Sequence, residues 1–482
     1  MSNLLKKLLT EFKYLEQNSI NIKKGSIFLA YPGENKDGRN YIDEAIKKGA
    51  GAIIYDPLGF KWNTKWKLPN LPVKNLKDSI SNIASEFNNH PSKKINLIGV
   101  TGTNGKTSSV YWITQCLKNL ERRATMISTI GYGLLDNLQP TTNTTPDAVA
   151  IQNILNDFVI NKVQDACIEV SSHGIKQGRV SGIDFNVRLF TNLSRDHLDY
   201  HDSIESYSHT KKAFLLDAKK GYLVVNIDDP IGKKIFKESK LDEAKKISFG
   251  INSACTLQAN NLVTENKITK FDLIYKEKSI QISASVVGKY NIYNILGVIG
   301  ALISLGYQIE DIVPVLKILS AVPGRAEELQ TNLKNCPKVI IDYAHTPDAL
   351  KSILESLKSS KYKNLNIVFG CGGDRDKGKR KEMALIVNHY ADFVVVTSDN
   401  PRNEDPKKII DDICQNIVIP NIKIEDREAA IKEIFKKADI DDVILIAGKG
   451  HETYQEIKGV RKEFSDSFIA KKYLTRYFGV DN

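Results

Sequence analysis

Short apolar runs of strand length recur along the chain, and each ends in a polar or glycine-rich segment. INLIGV precedes TGTNGKTSS, DACIEV precedes SSH, VRLFTNL precedes SRDHLD, and GYLVVN precedes IDDP, with helical stretches between them. This alternation predicts a mostly parallel β-sheet that is covered by helices on both faces. Sheets of this kind bind ligands beyond the carboxyl ends of their strands, so the polar segments mark the predicted functional edge.

The same pattern begins at three places in the chain. Residues 1–90 hold the runs SIFLAYPG and GAIIYDP around the helical pattern YIDEAIKKGA, and a boundary is expected at NNHPSKK. After AVPGRAEEL, four strand-then-motif units follow in a Rossmann-like order: KVIIDYAHTPD, NLNIVFGCGGDRD, ADFVVVTSDNPR and DDVILIAGKGHE. Single cores stop growing near roughly 250 to 300 residues. We therefore predict an α/β protein with three domains, at residues 1–90, 91–325 and 326–482.

Composition narrows the class of protein only in part. Hydrophobic residues make up 41% and charged residues 26% of the chain, which is ordinary for a globular protein. The formal net charge of +11 comes from scattered basic residues rather than one basic arm. It therefore does not single out nucleic acid, because an anionic nucleotide substrate accounts for the sign equally well.

The cysteines and the N-terminal segment bear on where the protein works. The six cysteines are widely spaced, with no C-x-x-C pair and no histidine at zinc spacing, which favours a reduced cytoplasmic protein. MSNLLKKLLTEFKYLEQ predicts an amphipathic helix without the long apolar region of a signal peptide. No window approaches about 18 consecutive apolar residues, so we expect neither export nor a membrane span.

The segment GVTGTNGKTSS predicts a phosphate-binding loop, because it follows an apolar strand and opens a helix. Lys106 would reach the outer phosphates, and Thr107 would offer its hydroxyl to Mg²⁺. The loop is not a strict G-x-x-x-x-G-K-[ST] motif, since position 100 is Val. By itself it leaves a kinase, an ATPase switch, a GTPase and a ligase open. The candidate nucleotide-binding residues are Gly102, Thr103, Asn104, Gly105, Lys106, Thr107 and Ser108.

The spacing G-x-x-G-T-N-G-K-T-S resembles the phosphate loop of the Mur ligases and their folylpolyglutamate synthetase relatives. NTTPD, EVSSHGIKQGR, FTNLSRDHLDYH, GKYNIYN, PGRAEE, DYAHTPDAL, GCGGDRDKGKR, SDNPR and GKGHE occur in the family's order over nearly the whole chain. Together they resemble the muramyl-tripeptide synthetases of that family. The resemblance implies a central P-loop ATPase domain between a small N-terminal α/β domain, which binds the UDP-linked substrate, and a Rossmann-like C-terminal domain, which binds an amino acid.

The resemblance also implies a magnesium site. Glu169 and His197 each follow an apolar strand, where a single Glu or His is more often a structural hydrogen-bonding residue. The family match assigns both to Mg²⁺, beside Thr107. Within YSHTKKAFLL, whose lysines would otherwise be taken as solvated, it points to Lys211 rather than Lys212 as a carbamylated lysine that binds the metal. Lys106, Glu169, His197 and Lys211 are the implied catalytic residues.

Further roles follow from the same resemblance. For the nucleotide sugar-peptide it implies Ser19, Asn143, Thr144, Thr145, Ser171, Gln177 and Arg179. For ATP it adds Asn294 at the adenine, Asp342 at the ribose and Arg325 at the phosphates. Two positions depart from the family: its Asp-Ser-Arg is Asn18-Ser19-Ile20 here, and its Gly-Arg-Met-Glu has Ala326 in place of Met. The first departure weakens the uridine assignment, whereas the second leaves Arg325 in place.

The segment SDNPR would by itself predict only a turn with a solvated arginine. In the family, Asp399-Asn400-Pro401-Arg402 resembles the form that selects meso-diaminopimelate over L-lysine. Diaminopimelate is lysine with a second carboxylate, and a guanidinium binds a carboxylate through two parallel hydrogen bonds. The remaining residues implied for this pocket are Arg375, Gly448 and Glu452.

The implied activity is ATP-dependent addition of meso-diaminopimelate to UDP-N-acetylmuramoyl-L-alanyl-D-glutamate through an acyl phosphate, in peptidoglycan synthesis. We expect a monomer that uses ATP and Mg²⁺ and has no nucleic-acid or membrane partner. The alternatives are a Mur ligase specific for L-lysine and a folylpolyglutamate-type ligase. From another class, a P-loop nucleotide switch or a nucleic-acid-binding protein is the rival.

Overall fold

The computed structural model describes residues 3–34, 36–141, 143–217, 220–265, 268–358 and 362–479. Its strands are β1 Tyr14–Glu16, β2 Ser26–Ala30, β3 Ala50–Tyr55, β4 Asn70–Pro72, β5 Asn96–Thr101, β6 Ala124–Ser128, β7 Gly131–Leu134, β8 Asn137–Gln139, β9 Asp165–Glu169, β10 Val187–Phe190, β11 Tyr222–Asn226, β12 Lys246–Gly250, β13 Leu257–Glu265, β14 Ile268–Tyr275, β15 Lys278–Ala284, β16 Glu327–Glu328, β17 Lys338–Asp342, β18 Leu365–Phe369, β19 Phe393–Val396, β20 Asn421–Lys423, β21 Val443–Ala447, β22 Tyr454–Ile457 and β23 Val460–Glu463. Its helices are α1 Asn3–Glu11, α2 Ile42–Lys47, α3 Leu76–Phe87, α4 Lys106–Asn119, α5 Ala148–Ile160, α6 Ser172–Lys176, α7 Leu198–His201, α8 Ile204–Leu216, α9 Pro230–Glu238, α10 Lys289–Ser304, α11 Ile309–Leu316, α12 Pro347–Lys358, α13 Gly378–Tyr390, α14 Pro406–Cys414, α15 Arg427–Lys437 and α16 Asp466–Phe478.

The chain folds as two compact units. The first consists of Met1–Thr101, Leu117–Arg188 and Asp217–Tyr222, and the second of Gly102–Cys116, Leu189–Leu216 and Leu223–Asn482. In the first unit, β1 to β4 form a parallel sheet in that order. The order β5-β9-β6-β7-β8 forms another sheet region, in which β5, β9 and β6 run parallel and β7 and β8 antiparallel.

The second unit also joins parallel and antiparallel strands. β11, β12 and β13 pair parallel, and β13 to β15 pair antiparallel. A six-stranded sheet has the order β16-β17-β21-β18-β19-β20 and is parallel except at β16. β22 and β23 form a separate hairpin. The predicted α/β organisation with mainly parallel sheets is confirmed.

The apolar runs become central strands because both of their faces are covered. Every residue of β9, β18 and β21 is buried, which explains why β21 is a continuous apolar run and why β9 and β18 are apolar apart from Asp165, Glu169 and Asn366. The N-terminal helix is shorter than predicted: α1 ends at Glu11, and Leu15 is buried in β1 against β2. Among the described residues, no helix combines the length and the apolar character needed to cross a membrane.

Candidate active site

The loop between β5 and α4 folds closely around two glycines. Gly102 and Gly105 have φ angles of 153° and 83°, a region that glycine adopts most readily. A Cβ on Gly102 would overlap Thr191 Oγ1, and a Cβ on Gly105 would overlap Asn294 Oδ1. The backbone thus approaches its neighbours too closely for any other residue. Because the loop leads into the N-terminus of α4, this cradle suits a polyphosphate.

The residues of the predicted phosphate motif lie together in this loop. Lys106 Nζ donates to Thr103 O at 2.7 Å, so the lysine folds back over the loop. Asn104 N donates to Asn192 Oδ1 at 2.9 Å. The buried Thr107 hydroxyl accepts a hydrogen bond from Arg325 Nη2 at 3.0 Å. Ser108 follows in the first turn of α4 and is also buried.

A cavity of about 330 Å³ lies beside the loop, and six of the ten predicted nucleotide residues line it. The Arg325 guanidinium lies 4.2 Å from the centre of the Tyr343 ring, and Arg325 Nε is buried without a hydrogen-bond partner among the described residues. Flat apolar walls beside a cation and a phosphate cradle suit a purine nucleotide. Residues lining the cavity include Asn104, Gly105, Ser108, Trp112, Tyr290, Asn294, Arg325, Asp342, Tyr343 and His345.

Asp342, which is predicted to contact the ribose, accepts hydrogen bonds from two nearby backbone N–H groups. Its Oδ2 accepts from Ala326 N at 2.6 Å and its Oδ1 from Ala344 N at 2.7 Å. Burial raises the pKa of Asp342, and the nearby Arg325 charge works against that shift. Ala326, the residue that departs from the family pattern, therefore contributes here through its backbone N–H.

Lys211 and Lys212 differ sharply in environment. Lys211 is 1% exposed, and its Nζ donates to Gly102 O at 2.7 Å and lies 4.7 Å from the centre of the Tyr207 ring. Lys212 is partly exposed and pairs with Glu238. The structure thus places Lys211, the lysine to which the resemblance points, against the phosphate loop.

His197 lies in a charged cluster that the sequence did not single out. Its Nε2 is 3.3 Å from Asp196 Oδ2, and His345 Nε2 is 3.9 Å from the same oxygen. Burial works to raise the pKa of Asp196, but His197, His345 and Lys379 outweigh it and hold this pKa well below the usual range. Burial lowers the pKa of His345 to about 4, so this imidazole is neutral at pH 7.

Two reciprocal ion pairs flank this cluster. Arg195 Nε lies 2.7 Å from Asp376 Oδ2, and Arg375 Nη1 lies 3.3 Å from Asp199 Oδ2. The loop around His197 is therefore joined by charge to the GGDRD segment. Arg375, predicted in the amino-acid pocket, is exposed and already has a carboxylate partner of its own chain.

In the first unit, Glu169 ends β9 as a buried carboxylate. Its Oε2 accepts from Thr129 N at 3.2 Å and from Thr129 Oγ1 at 3.1 Å. Thr129 Oγ1 also lies 3.0 Å from Thr144 Oγ1 and can accept a hydrogen bond from that hydroxyl. Thr145 Oγ1 donates to the backbone oxygen of Glu169 at 2.7 Å and accepts from Ser171 N at 2.9 Å. Four predicted residues thus meet at one strand end. Among the described residues, no group of three or more His, Cys, Asp or Glu has the arrangement of a metal site.

Gln177 and Arg179 line a second cavity of the first unit, of about 270 Å³. Arg179 Nη1 donates to Thr145 O at 2.6 Å, and Arg179 Nε donates to Gln177 Oε1 at 2.9 Å. The link to Thr145 connects this cavity to the strand end at Glu169. Its other lining residues are Gln17, Tyr31, Gly33, Glu34, Lys77, Ile80, Asp147 and Ala148.

Ser19 and Asn143 are two of the five predicted sugar-peptide residues that do not line this cavity. Ser19 is buried in a short 3-10 turn, where its hydroxyl donates to Glu44 Oε2 at 3.2 Å. Ile20, which replaces the arginine of the family motif, is 72% exposed. Asn143 is exposed, and its backbone oxygen accepts from Thr141 Oγ1 at 2.8 Å.

The predicted amino-acid pocket is built from the loops after β18, β19 and β21. Arg402 has a positive φ of 50°, and its Nη1 donates to Gly373 O at 2.7 Å. A Cβ on Gly372 would lie 2.8 Å from Arg402 Nη1 and 3.9 Å from Arg375 Cγ. The two arginines therefore flank the same glycine, and Arg402 is held by the fold rather than freely solvated.

The other pocket residues form a buried polar network. Asn400 Nδ2 donates to Glu452 Oε2 at 2.9 Å, and Pro401 and Asp399 are buried beside it. A Cβ on Gly448 would overlap Asp399 Oδ2. Burial works to raise the pKa of Asp399, but Lys449, Arg427 and His345 outweigh it, so this pKa lies below its usual range.

Sequence reasoning missed Lys449, Tyr343 and His345 as members of these sites. All three lie in quoted motifs, GKGHE and DYAHTPDAL. Their motif membership was the available signal, but their burial and partners depend on the folded chain.

Three family profiles match successive parts of the chain. The Mur ligase family catalytic domain matches residues 11–88, the Mur ligase middle domain residues 100–302, and the Mur ligase glutamate ligase domain residues 324–450. Their order gives a three-domain architecture.

Ligases of known name, and solved structures among them, align with this chain over nearly its full length. The UDP-N-acetylmuramoyl-L-alanyl-D-glutamate–2,6-diaminopimelate ligase of Chromobacterium violaceum is 37% identical over 98% of this chain and 96% of its own length. A solved structure of a ligase with that name is 31% identical, with a TM-score of 0.68, over 96% of this chain and 95% of the other. The MurF ligase of Thermotoga maritima, solved with ADP, shares the fold at 20% identity and a TM-score of 0.69, covering 99% of each chain.

Proposed function

The chain belongs to the Mur ligase family, and on that basis we propose that it adds meso-diaminopimelate to UDP-N-acetylmuramoyl-L-alanyl-D-glutamate in peptidoglycan synthesis. The reaction consumes ATP and forms one amide bond. We assign one substrate to each predicted domain. Residues 1–90 bind the UDP end of the sugar-peptide, 91–325 bind ATP, and 326–482 bind the amino acid. A cytoplasmic monomer is part of the proposal.

The observation that carries the choice of amino acid is the pair of arginines at Gly372. Arg402 and Arg375 both come close to that glycine, and Glu452 supplies a carboxylate in the same group of loops. Diaminopimelate has two carboxylates and two amino groups, so it offers a partner to each of these charges. L-lysine lacks the second carboxylate and therefore offers a partner to only one of the two arginines.

ATP fits the cradle of the second unit. The two glycines admit the phosphates, while Lys106 and Arg325 supply positive charge beside them. The aromatic walls and Asn294 take the adenosine. In the first step, an oxygen of the D-glutamyl γ-carboxylate attacks the γ-phosphorus, the bond to the ADP oxygen breaks, and an acyl phosphate forms. Positioning and charge neutralisation supply most of the rate enhancement.

The second step forms the amide. The amino group of diaminopimelate attacks the acyl carbon, phosphate leaves, and the nitrogen loses its proton. Glu452, with Asn400, Asp399, Pro401 and Gly448, would orient the amino acid for this attack. Gln177 and Arg179, with Asn143, Thr144, Thr145, Ser171 and Ser19, would hold the sugar-peptide.

Oxygen donors suit Mg²⁺. The residues proposed for it supply three groups with oxygen donors, a hydroxyl, a carboxylate and a carbamate, and one imidazole nitrogen. They are Thr107, Glu169, His197 and Lys211 as its carbamate. The ion, when bound, would neutralise charge on the transferring phosphate. Lys211 is the better candidate of the two lysines because its buried amine would favour the neutral form that reacts with carbon dioxide.

An ADP-release assay with product mass spectrometry tests the proposal. The enzyme should turn over UDP-N-acetylmuramoyl dipeptide with meso-diaminopimelate, only weakly with L-lysine in its place, and not with folate plus glutamate. Equal turnover with lysine would defeat the specificity. Nucleotide binding without amide formation would favour a nucleotide switch instead.

A matched pair of variants sharpens this test. Arg402→Lys keeps the charge and loses the planar fork, so KM for diaminopimelate should rise about tenfold or more while KM for ATP stays constant. Lys106→Ala should abolish ADP release. Full activity in Lys106→Ala would refute the role of the phosphate loop.

A further inference from the structure

Lys449 is a fully buried lysine next to the proposed amino-acid pocket, with an exposed fraction of 0%. A buried ammonium group is strongly unfavourable unless opposite charges and hydrogen-bond acceptors surround it. The ammonium group of Lys449, in the loop after β21, therefore needs hydrogen-bond acceptors and negative charge from the protein. Residues of the proposed amino-acid pocket supply them.

Two side chains receive hydrogen bonds from Lys449 Nζ. One is Glu452 Oε2 at 2.9 Å, and the other is Asn400 Oδ1 at 3.1 Å. Asn400 Nδ2 donates to the same Glu452 oxygen at 2.9 Å, and Glu456 N donates to Asn400 Oδ1 at 2.9 Å. These bonds fix which end of the Asn400 amide carries the oxygen.

The bonds also separate the two oxygens of Glu452. Oε2 accepts from both Lys449 and Asn400, whereas Oε1 has no hydrogen-bond partner among the described residues. The Glu452 side chain is 14% exposed. One carboxylate oxygen is thus held by the protein, and the other is left for a ligand.

The local charge has the sign that an ammonium group requires. Arg427 and Asp466 neutralise each other in a buried ion pair. Next to Lys449, two carboxylates, Asp399 and Glu452, face one ammonium group. Lys449 therefore fixes the geometry of this network without cancelling both of its negative charges.

We propose that Lys449 is a positioning residue of the amino-acid pocket, which orients Asn400 and Glu452 so that Glu452 Oε1 receives the ammonium group of the incoming amino acid. The inference rests on the proposed function, which assigns Asn400 and Glu452 to that pocket. Lys449 acts through these two side chains and does not itself touch the substrate.

The test is steady-state kinetics of Lys449→Met and Lys449→Gln with the full chain. In Lys449→Met, KM for meso-diaminopimelate should rise about tenfold to a hundredfold, the range for losing a hydrogen bond to a charged group. KM for ATP should change less than twofold. Lys449→Gln keeps a hydrogen-bond donor, so it should show a smaller rise than the methionine variant.

Lys246→Met is the matched control, because Lys246 is also buried and paired with a glutamate, in β12. It should leave both KM values unchanged. An unaltered KM for diaminopimelate in folded Lys449→Met would overturn the proposal, as would a parallel rise in KM for ATP. Should Lys449→Met not fold, Lys449→Gln decides by the same two criteria. Absence of product from the unmodified enzyme with diaminopimelate would instead refute the proposed function.

Discussion

Replacing Arg427 by methionine should loosen the six-stranded sheet behind the amino-acid pocket. The guanidinium is fully buried and contacts Asp466 twice, at 2.8 Å from Nε and 2.7 Å from Nη2. Nη2 also donates to Ala447 O at 2.9 Å, at the end of β21. Burial works to lower the pKa of Arg427, but Asp466 outweighs it and raises this pKa, so the guanidinium remains charged.

The size of the effect follows from the charge left behind. Removing one partner of a buried ion pair costs about 3 to 5 kcal/mol, because the other charge remains buried without compensation. At about 1.4 kcal/mol per factor of ten, opening of the surrounding structure should become about a hundredfold to several thousandfold more frequent. Hydrogen–deuterium exchange of the β21 amides, followed by mass spectrometry, measures this directly.

Two further variants decide between charge and packing. Arg427→Met combined with Asp466→Leu removes both charges, so most of the protection of β21 should return. Lys423→Met breaks the exposed pair between Lys423, in β20 of the same sheet, and Asp411 of α14, and it should leave exchange in β21 unchanged. Acceleration of less than about fivefold in Arg427→Met would refute the reasoning, because the buried aspartate would then cost almost nothing.

Three other predictions concern separate sites. Burial and the charge of Asp147 raise the pKa of Glu16 from 4.5 to about 7. The free energy of unfolding should therefore fall as pH rises from 4.5 to about 7. Glu16→Gln should raise Tm at pH 8 but not at pH 4. Gly448→Ala, whose Cβ would meet the Asp399 carboxylate, should raise KM for diaminopimelate and not for ATP in the ADP-release assay. Arg325→Lys loses the planar contact with Tyr343, so the dissociation constant of a fluorescent ATP analogue should rise about tenfold.

Features that repeat along the chain could be predicted from the sequence. Continuous apolar runs such as VILIA are long enough for a strand and too apolar for an exposed one, and they form buried parallel strands such as β21. The phosphate loop was predictable for a similar reason, since its glycines, lysine and threonine are adjacent in the chain. Family motifs then added which residues share a pocket.

Features that depend on distant partners could not be predicted in this way. Lys211 and Lys212 are neighbours with the same chemistry. The family resemblance pointed to Lys211, but its burial against Gly102 O and beside Tyr207 of the same helix depends on the packing of α8. Arg325 and Thr107 lie 218 residues apart, so no local pattern links them. The N-terminal helix was overextended because an amphipathic period continues past Glu11, where pairing of β1 with β2 wins.

With Arg375 in the proposed amino-acid pocket, its ion pair with Asp199 would make amino-acid binding a competition between carboxylates. If Arg375 binds a carboxylate of diaminopimelate, its ion pair with Asp199 breaks. The loop that carries His197 then loses one of its contacts. Breaking the Arg375–Asp199 pair would offset part of the free energy of diaminopimelate binding and so lower the affinity for that substrate. The loop that carries His197 would become more mobile when diaminopimelate binds. Occupancy of the amino-acid pocket would then be communicated to the phosphate end of the site through a single aspartate.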